Sequence, residues 1–259
     1  MPGDMKLVTW NVNSIRQRGE RLLALLARHA PDVVCLQETK VTDADFPGEA
    51  LHAAGYHFVT LGQKSYNGVA ILAKAELSDV RAGFRDGGDD SQARFLAATA
   101  FGVRVITAYA PNGQSIGSEK YAFKLDWFGR LRKCLEREFD AASELALAGD
   151  FNVAPADIDV HDPALWRGQV MCSEPERAAL AELFRWGLVD SFRAVHPDRV
   201  AFTWWDYRML GFPKNHGLRI DHVLVSRPLL ARVGDVSIDR DERKGKGPSD
   251  HAPVLAVLR

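Results

Sequence analysis

The stretch ELALAGDFNV, residues 144–153, carries the pattern on which the reading of the chain turns. Glu144 to Ala148 is apolar enough for a buried strand. Gly149-Asp150-Phe151-Asn152 then brings a carboxylate and an amide to that strand's end, two residues apart and on one face. The same four residues suit an ordinary turn, because glycine, aspartate and asparagine are what turns favour. A short echo, Val8-Thr9-Trp10-Asn11-Val12, lies in the first half of the chain, and Asp221-His222 is echoed by Asp250-His251. A pseudo-symmetric pair of sheets would bring all these strand ends to one edge.

The flanking sequence supports two sheets. Lys6 to Val12 and Asp32 to Gln37 read as strands around a helix from Arg16 to His29, whose Leu22, Leu23, Leu25 and Leu26 fall at helical spacing before Pro31 ends it. Glu49 to Ala54 is a short helix. Tyr56 to Leu61, Gly68 to Ala73, Arg94 to Phe101 and Val103 to Tyr109 follow as strands with glycine-containing turns, a succession that implies antiparallel pairing. Glu119 to Asp140 carries Phe123, Trp127, Leu131, Leu135 and Phe139 at intervals of four, the core-facing stripe of a long helix. Glu174 to Trp186 is another helix, with Pro175 suited to its first turn. Strands return at Phe202 to Trp205, Arg219 to Val225, Val233 to Ile238 and Pro253 to Leu258. No polar or low-complexity linker divides the chain. The expectation is a single α/β domain over residues 1–259, a sandwich of two packed, mainly antiparallel β-sheets with helices outside.

Bulk properties narrow the function classes. With 259 residues and 46% hydrophobic content the chain can bury a large core. Met1 to Leu7 lacks the apolar region of a signal peptide, and no run approaches the roughly 20 apolar residues of a membrane span, so the expected location is the cytoplasm. Cys35, Cys134 and Cys172 share no CxxC spacing, which suggests neither a disulfide framework nor a zinc site. Thirty-three basic residues against 34 acidic ones give a net charge of −1, so any affinity for nucleic acid rests on local patches. Arg240, Arg243, Lys244 and Lys246 form one candidate, and Arg208, Lys214, His216 and Arg219 another; solvated loop charge is the commoner meaning of such runs.

Three further motifs carry chemistry. Leu36-Gln37-Glu38-Thr39-Lys40 ends a buried strand, where Glu38 is either a hard oxygen ligand suited to Mg²⁺ or a solvent-facing residue. Ser249-Asp250-His251 precedes the last strand and Arg219-Ile220-Asp221-His222 opens an earlier one. If the two adjoin, Asp221 accepts a hydrogen bond from His251 and stabilises its imidazolium; otherwise each histidine is an ordinary satisfied ring. Trp204-Trp205-Asp206-Tyr207-Arg208 places aromatic faces and a cation in one loop, a set suited to bases, sugars and phosphates, with core packing the alternative for one of the tryptophans.

Taken in order with Trp10-Asn11-Val12-Asn13, Tyr109-Ala110-Pro111-Asn112-Gly113 and Gly217-Leu218-Arg219-Ile220-Asp221, these motifs resemble the set found in the exonuclease III family of DNA-repair nucleases. The likeness runs from about Lys6 to the C-terminus. It implies the four-layer endonuclease/exonuclease/phosphatase fold and a Mg²⁺-dependent DNA hydrolase in which Mn²⁺ substitutes. It also implies a monomer acting on double-stranded DNA with abasic sites or damaged 3′ ends. By the same resemblance Glu38 ligates the metal with Asn11 and Asp250 nearby, Asp150 positions or deprotonates water, and Asn152 orients the phosphate. His251, held by Asp221, contacts a phosphate oxygen, and Tyr109 lies beside the phosphate or leaving group. Arg94 and Asn112 become phosphate contacts, while Trp204, Tyr207, Arg208, Leu218 and Met171 face the damaged nucleotide.

Some positions depart from the family pattern. Asn13 stands where some relatives have Asp, and Arg94 follows Ala93 where paired arginines are frequent. Met171 and Cys172 are bulkier than the small residues frequent in strong abasic-site endonucleases, and a narrowed pocket favours processing of 3′ ends. The competing readings are a phosphoesterase of the same fold acting on an inositol phosphate or phospholipid, and a DNA-binding module that has lost catalysis.

Overall fold

Thr9, Gln37 and Thr107 mark the middle of the molecule: they form a small polar cluster between two sheets that are otherwise joined by apolar side chains. The computed structural model describes residues 4–259, so the first three residues of the Met1–Leu7 stretch lie outside it. In chain order the main elements are β1 (Met5–Asn11), α1 (Ile15–His29), β2 (Val33–Gln37), α2 (Gly48–Ala53), β3 (His57–Leu61), β4 (Val69–Ala73), β5 (Ser78–Ala82), β6 (Phe95–Ala100) and β7 (Val103–Tyr109). They continue with α3 (Glu119–Glu138), β8 (Leu145–Asp150), α4 (Pro163–Trp166), α5 (Glu174–Trp186), β9 (Leu188–Asp190), α6 (Ser191–Val195), β10 (Asp221–Ser226), α7 (Arg227–Leu230), β11 (Val233–Ile238) and β12 (Val254–Leu258).

The strands form two six-stranded sheets, ordered β11-β12-β1-β2-β4-β3 and β5-β6-β7-β8-β10-β9. One pair in each sheet is parallel, β1 with β2 and β7 with β8, and the others are antiparallel. The parallel pairs are where the chain crosses over through a helix, α1 and α3 respectively, as a parallel connection requires. Alternation sorts the side chains. In β1, Leu7 joins the apolar layer between the sheets while Val8 and Trp10 pack under α1; in β8, Ala146 and Ala148 face inward while Leu145 and Leu147 pack outward with α3 and α5. Each fully buried Leu or Val contributes about 1.5–3 kcal/mol. Cys35, Cys134 and Cys172 are all buried and free. Among the described residues no helix is long and apolar enough to cross a membrane.

The echo between β1 and β8 has a different meaning from strand equivalence. By connection and register β1-α1-β2 corresponds to β7-α3-β8, so the counterpart of Asp150 is Gln37 and that of Asn11 is Tyr109. The echoed segments instead sit opposite one another across the two sheets.

Other expectations need correction. Phe202–Trp205 is no strand: it makes single bridges, Trp204 to Leu218 and to His251. The Thr203 side-chain oxygen takes up the amides of Ile220 and Asp221 in place of a continuing ladder. Arg219 belongs to no surface patch, being 1% exposed and ion-paired with Asp159 and Asp190, and Arg243 is buried as well, donating to the Ser249 and Trp205 carbonyls. The short elements β5, β9, α4, α6 and α7 carry too few apolar residues to leave a period; β5 is a largely exposed edge.

Gly149 shows why the 144–153 stretch needs its glycine. A Cβ there would overlap the Ala108 carbonyl of the neighbouring parallel strand. Gly149→Ala is expected to destabilise the fold by at least about 2 kcal/mol, read as a lowered urea midpoint, because the offending atoms are backbone and cannot move aside.

Candidate functional site

At one edge of the sandwich β1, β2, β7 and β8 end and β10 begins. Asn11, Gln37, Tyr109 and Asp150 are the last residues of β1, β2, β7 and β8, while Asp221 opens β10 directly across from Asp150. Asn11 and Asp150 share the parity of the inward-facing side chains of their strands, so their polar groups meet where the apolar layer stops. Asn11 Nδ2 donates to Asp150 Oδ2 (2.9 Å) and to Glu38 Oε1 (2.8 Å). Its own oxygen accepts the Asn13 amide N–H at 3.0 Å.

The backbone at this edge is held in a conformation that side chains avoid. Asn13, Ser14, Glu38, Lys40 and Asn152 all have positive φ, between 44° and 87°. Each such residue stores on the order of 1 kcal/mol or more and persists only where its surroundings over-determine it. The strand-end and turn readings of Gly149-Asp150-Phe151-Asn152 both hold. Asp150 closes the strand, and its Oδ1 then accepts the Asn152 amide N–H (2.9 Å), an Asx-type turn that aims the Asn152 side chain back toward Asp150 Oδ2 at 3.3 Å.

Trp204 ties the two sheets together here. Its backbone pairs with Leu218, which leads into β10, and with His251, which leads into β12. The Ser249 hydroxyl donates to the Asn11 carbonyl (2.7 Å), and Trp10 Nε1 donates to the His251 carbonyl (3.1 Å). So placed, His251 Nδ1 lies 2.9 Å from Asp221 Oδ2 and its Nε2 3.7 Å from Asp150 Oδ2. Burial alone would push the imidazole down, but the carboxylates of Asp221 and Asp150 outweigh it and raise its pKa. Burial raises the Asp150 carboxyl too, with the His251 imidazole opposing it and the Asp221 carboxylate adding to it.

Glu38 sits on the opposite side of Asn11. Burial penalises its carboxylate, but Lys40, whose Nζ is 2.8 Å from Glu38 Oε2, and the Asn11 amide hold it below the usual range. Tyr109 is raised well above an ordinary phenol by burial and then by Glu38 and Asp150, which keeps it a hydrogen-bond donor. Arg94 lies over the Tyr109 ring at 4.6 Å and donates to its carbonyl, so its guanidinium faces the site through Tyr109.

The ligand atoms of Glu38, Asp150 and His251 all lie within 4.8 Å of one another. Two carboxylates with adjacent amides suit a small hard dication that keeps most of its water. Asp250 is outside this group. Its oxygens accept from Asn13 Nδ2 (2.9 Å) and Trp204 Nε1 (3.0 Å), and Lys40 Nζ closes the chain on Asn13 Oδ1 at 2.6 Å.

The remaining residues singled out from sequence divide. Asn112 is at the site, donating to Asn152 Oδ1 at 3.2 Å. Trp204 is half-buried on its rim, whereas Trp205 is the core tryptophan, packed with Phe212 and Ala252. Tyr207 is exposed, anchored by its hydroxyl to the Pro248 carbonyl and by Arg18; Arg208 points outward, paired with Asp206. Leu218 and Met171 are buried together in one apolar cluster flanked by Trp204. Lys40 and Asn13 stood inside quoted motifs yet went unassigned. Lys124 and Glu176 were missed altogether; the only available signal was a lysine three residues from Tyr121 and Trp127 on the buried stripe of α3.

Residues 8–251 of the chain match the model of the endonuclease/exonuclease/phosphatase family. Among curated proteins it is 40% identical to exodeoxyribonuclease III of Haemophilus influenzae, covering 98% of this chain and 100% of that one. Among solved structures it superposes on NExo, a 3′ phosphatase from Neisseria bound to a product DNA hairpin, with a TM-score of 0.96 and 44% identity over 98% and 99% of the two chains. An AP endonuclease from Archaeoglobus fulgidus gives 0.94 and 39% over the same shares. With a family model matching residues 8–251 and relatives similar over nearly its whole length, the chain belongs to the endonuclease/exonuclease/phosphatase family.

Proposed function

We propose that this chain is a Mg²⁺-dependent DNA-repair phosphodiesterase, a single catalytic domain acting as a monomer in the cytoplasm on double-stranded DNA with damaged 3′ ends or abasic sites. The observation that carries the reading is the meeting of Glu38, Asp150 and the Asp221–His251 pair at one sheet edge. Removal of a 3′-phosphate, removal of a 3′ nucleotide and incision 5′ to an abasic site each break the bond between phosphorus and the 3′ oxygen. One site therefore serves all three. Exposed aromatic and basic groups around Trp204 and Tyr207 fit a polynucleotide better than a soluble phosphoester.

Each residue has a part set by its contacts. Glu38 would hold the ion, and Asn11 fixes Glu38 relative to Asp150. When bound, Mg²⁺, or Mn²⁺ in its place, would supply charge neutralisation at the phosphate and acidify a bound water. Asp150 aligns the attacking water and takes its proton, while Asn152 and Asn112 orient the phosphate. The His251 imidazolium, anchored by Asp221, donates to a non-bridging oxygen, and the Tyr109 phenol lies beside the departing 3′ oxygen. Asp250, through Asn13 and Trp204, steadies the loop before β12. Trp204, Tyr207 and Arg208 receive the DNA.

Lesion preference follows from Met171. Met171 is 7% exposed and packs with Leu218 in a cluster flanked by Trp204, and in this reading its bulk narrows the pocket for an extrahelical abasic sugar. The wild-type protein is expected to release phosphate from a 3′-phosphate nick faster than it incises an internal abasic analogue or degrades an undamaged recessed end. Met171→Ala is expected to raise the abasic-to-phosphatase ratio about tenfold. Purified protein with Mg²⁺ and these three duplexes makes the test; an absence of chelator-sensitive turnover on all three would sink the proposal.

A further inference from the structure

Behind the site lies a charged pair that touches none of the reacting groups. Lys124 on α3 and Glu176 on α5 are both fully buried, with Nζ 2.5 Å from Oε1. Lys124 Nζ also donates to the carbonyls of Asn152 (2.7 Å) and Asn112 (3.1 Å). Glu176 in turn accepts the amides of Met171 (2.9 Å) and Ser173 (3.1 Å), and Ser173 Oγ lies 2.7 Å from the Tyr121 hydroxyl. One ion pair thus ties three loops: the one after β7 with Asn112, the one after β8 with Asn152, and the one before α5 with Met171.

Stability is a poor explanation for such a pair. Desolvation pulls the ammonium below the ordinary lysine range, with Glu176 opposing, and buried ion pairs are often no better than apolar residues of the same volume. What an apolar pair cannot do is bind the carbonyl of Asn152, whose left-handed φ of 51° turns that group away from the β8 ladder. The side chains of Asn112 and Asn152 meet at 3.2 Å, directly beyond the two carbonyls that Lys124 holds.

We propose that Lys124, neutralised by Glu176, is a positioning residue of the active site: through the Asn112 and Asn152 carbonyls it sets the spacing of the two amides that orient the phosphate. The inference rests on the phosphodiesterase reading above. Its loss acts on turnover more than on DNA affinity, since neither side chain reaches solvent.

The test uses steady-state release of phosphate from the 3′-phosphate duplex, with duplex affinity measured separately in chelator. Lys124→Gln is expected to lower kcat about 10- to 100-fold, the scale seen when outer supports of a site are removed, with KM and duplex affinity within about threefold. Leu229→Ala, on the buried face of α7 just after β10, is the destabilised control and keeps its kcat. Should Lys124→Gln not fold, Glu176→Gln leaves Lys124 in place but weakens its anchor and is expected to lower kcat about 3- to 10-fold. A folded variant with kcat within twofold of wild type, or an equal loss in Leu229→Ala, overturns the inference. A wild-type protein inactive on every DNA substrate would instead overturn the reading on which it stands.

Discussion

Asp150→Asn is expected to lower kcat for 3′-phosphate release by about 10³-fold while duplex affinity is kept or rises. In the proposed mechanism Asp150 takes the proton of the attacking water: its Oδ2 is 3.7 Å from His251 Nε2, on the side of the ring away from Asp221, and its Oδ1 accepts the Asn152 amide. An amide preserves the shape but accepts no proton, and removal of a positioned general base has effects of 10²–10⁴-fold. Binding is expected to move the other way because one negative charge is removed from the cleft that would receive the phosphate. Stopped-flow phosphate release with fluorescence anisotropy for binding gives both numbers. A kcat within tenfold of wild type would take Asp150 out of its proposed role.

Glu38→Gln is the second large effect, and it has a different signature. Glu38 is the carboxylate that burial fails to neutralise, since Lys40 and Asn11 keep it charged and aimed at the space shared with Asp150 and His251. Replacing it with an amide leaves the Asn11 neighbour in place but removes the anionic oxygen a hard dication prefers. The expected result is a loss of about 10²-fold at millimolar Mg²⁺, with the Mg²⁺ requirement raised at least about tenfold and much of the activity restored by added metal. Asp150→Asn gains nothing from added metal. If both variants respond to Mg²⁺ alike, the division of labour between the two carboxylates is wrong.

Much of the framework was legible because β-branched and leucine-rich runs such as Val33–Gln37 and Val69–Ala73 are buried on both faces and admit one reading. The long helix α3 was visible through its aromatic stripe, and the site through the order of short motifs more than through any one of them. Phe202–Trp205 misled because an aromatic, β-prone sequence was used to bridge two other segments instead of lengthening a sheet. Arg219 misled for a related reason: a cation in a basic run was matched by Asp159 and Asp190, distant carboxylates whose positions only the fold supplies. The role of Lys124 was illegible on the same ground, since its partner is on another helix and the carbonyls it binds leave no mark in side-chain chemistry. Leu218 and Met171 are expected beside the substrate from their motifs, whereas their burial in one cluster is visible only in the packing.

The most direct measurement of the central claim is an anomalous difference map from crystals of the protein grown or soaked with Mn²⁺. The account predicts one strong peak within about 2.3 Å of a Glu38 carboxylate oxygen, in the space bounded by Asp150 and His251. Manganese bound only elsewhere, with that space filled by the Lys40 ammonium or by water in crystals active toward DNA, would contradict it.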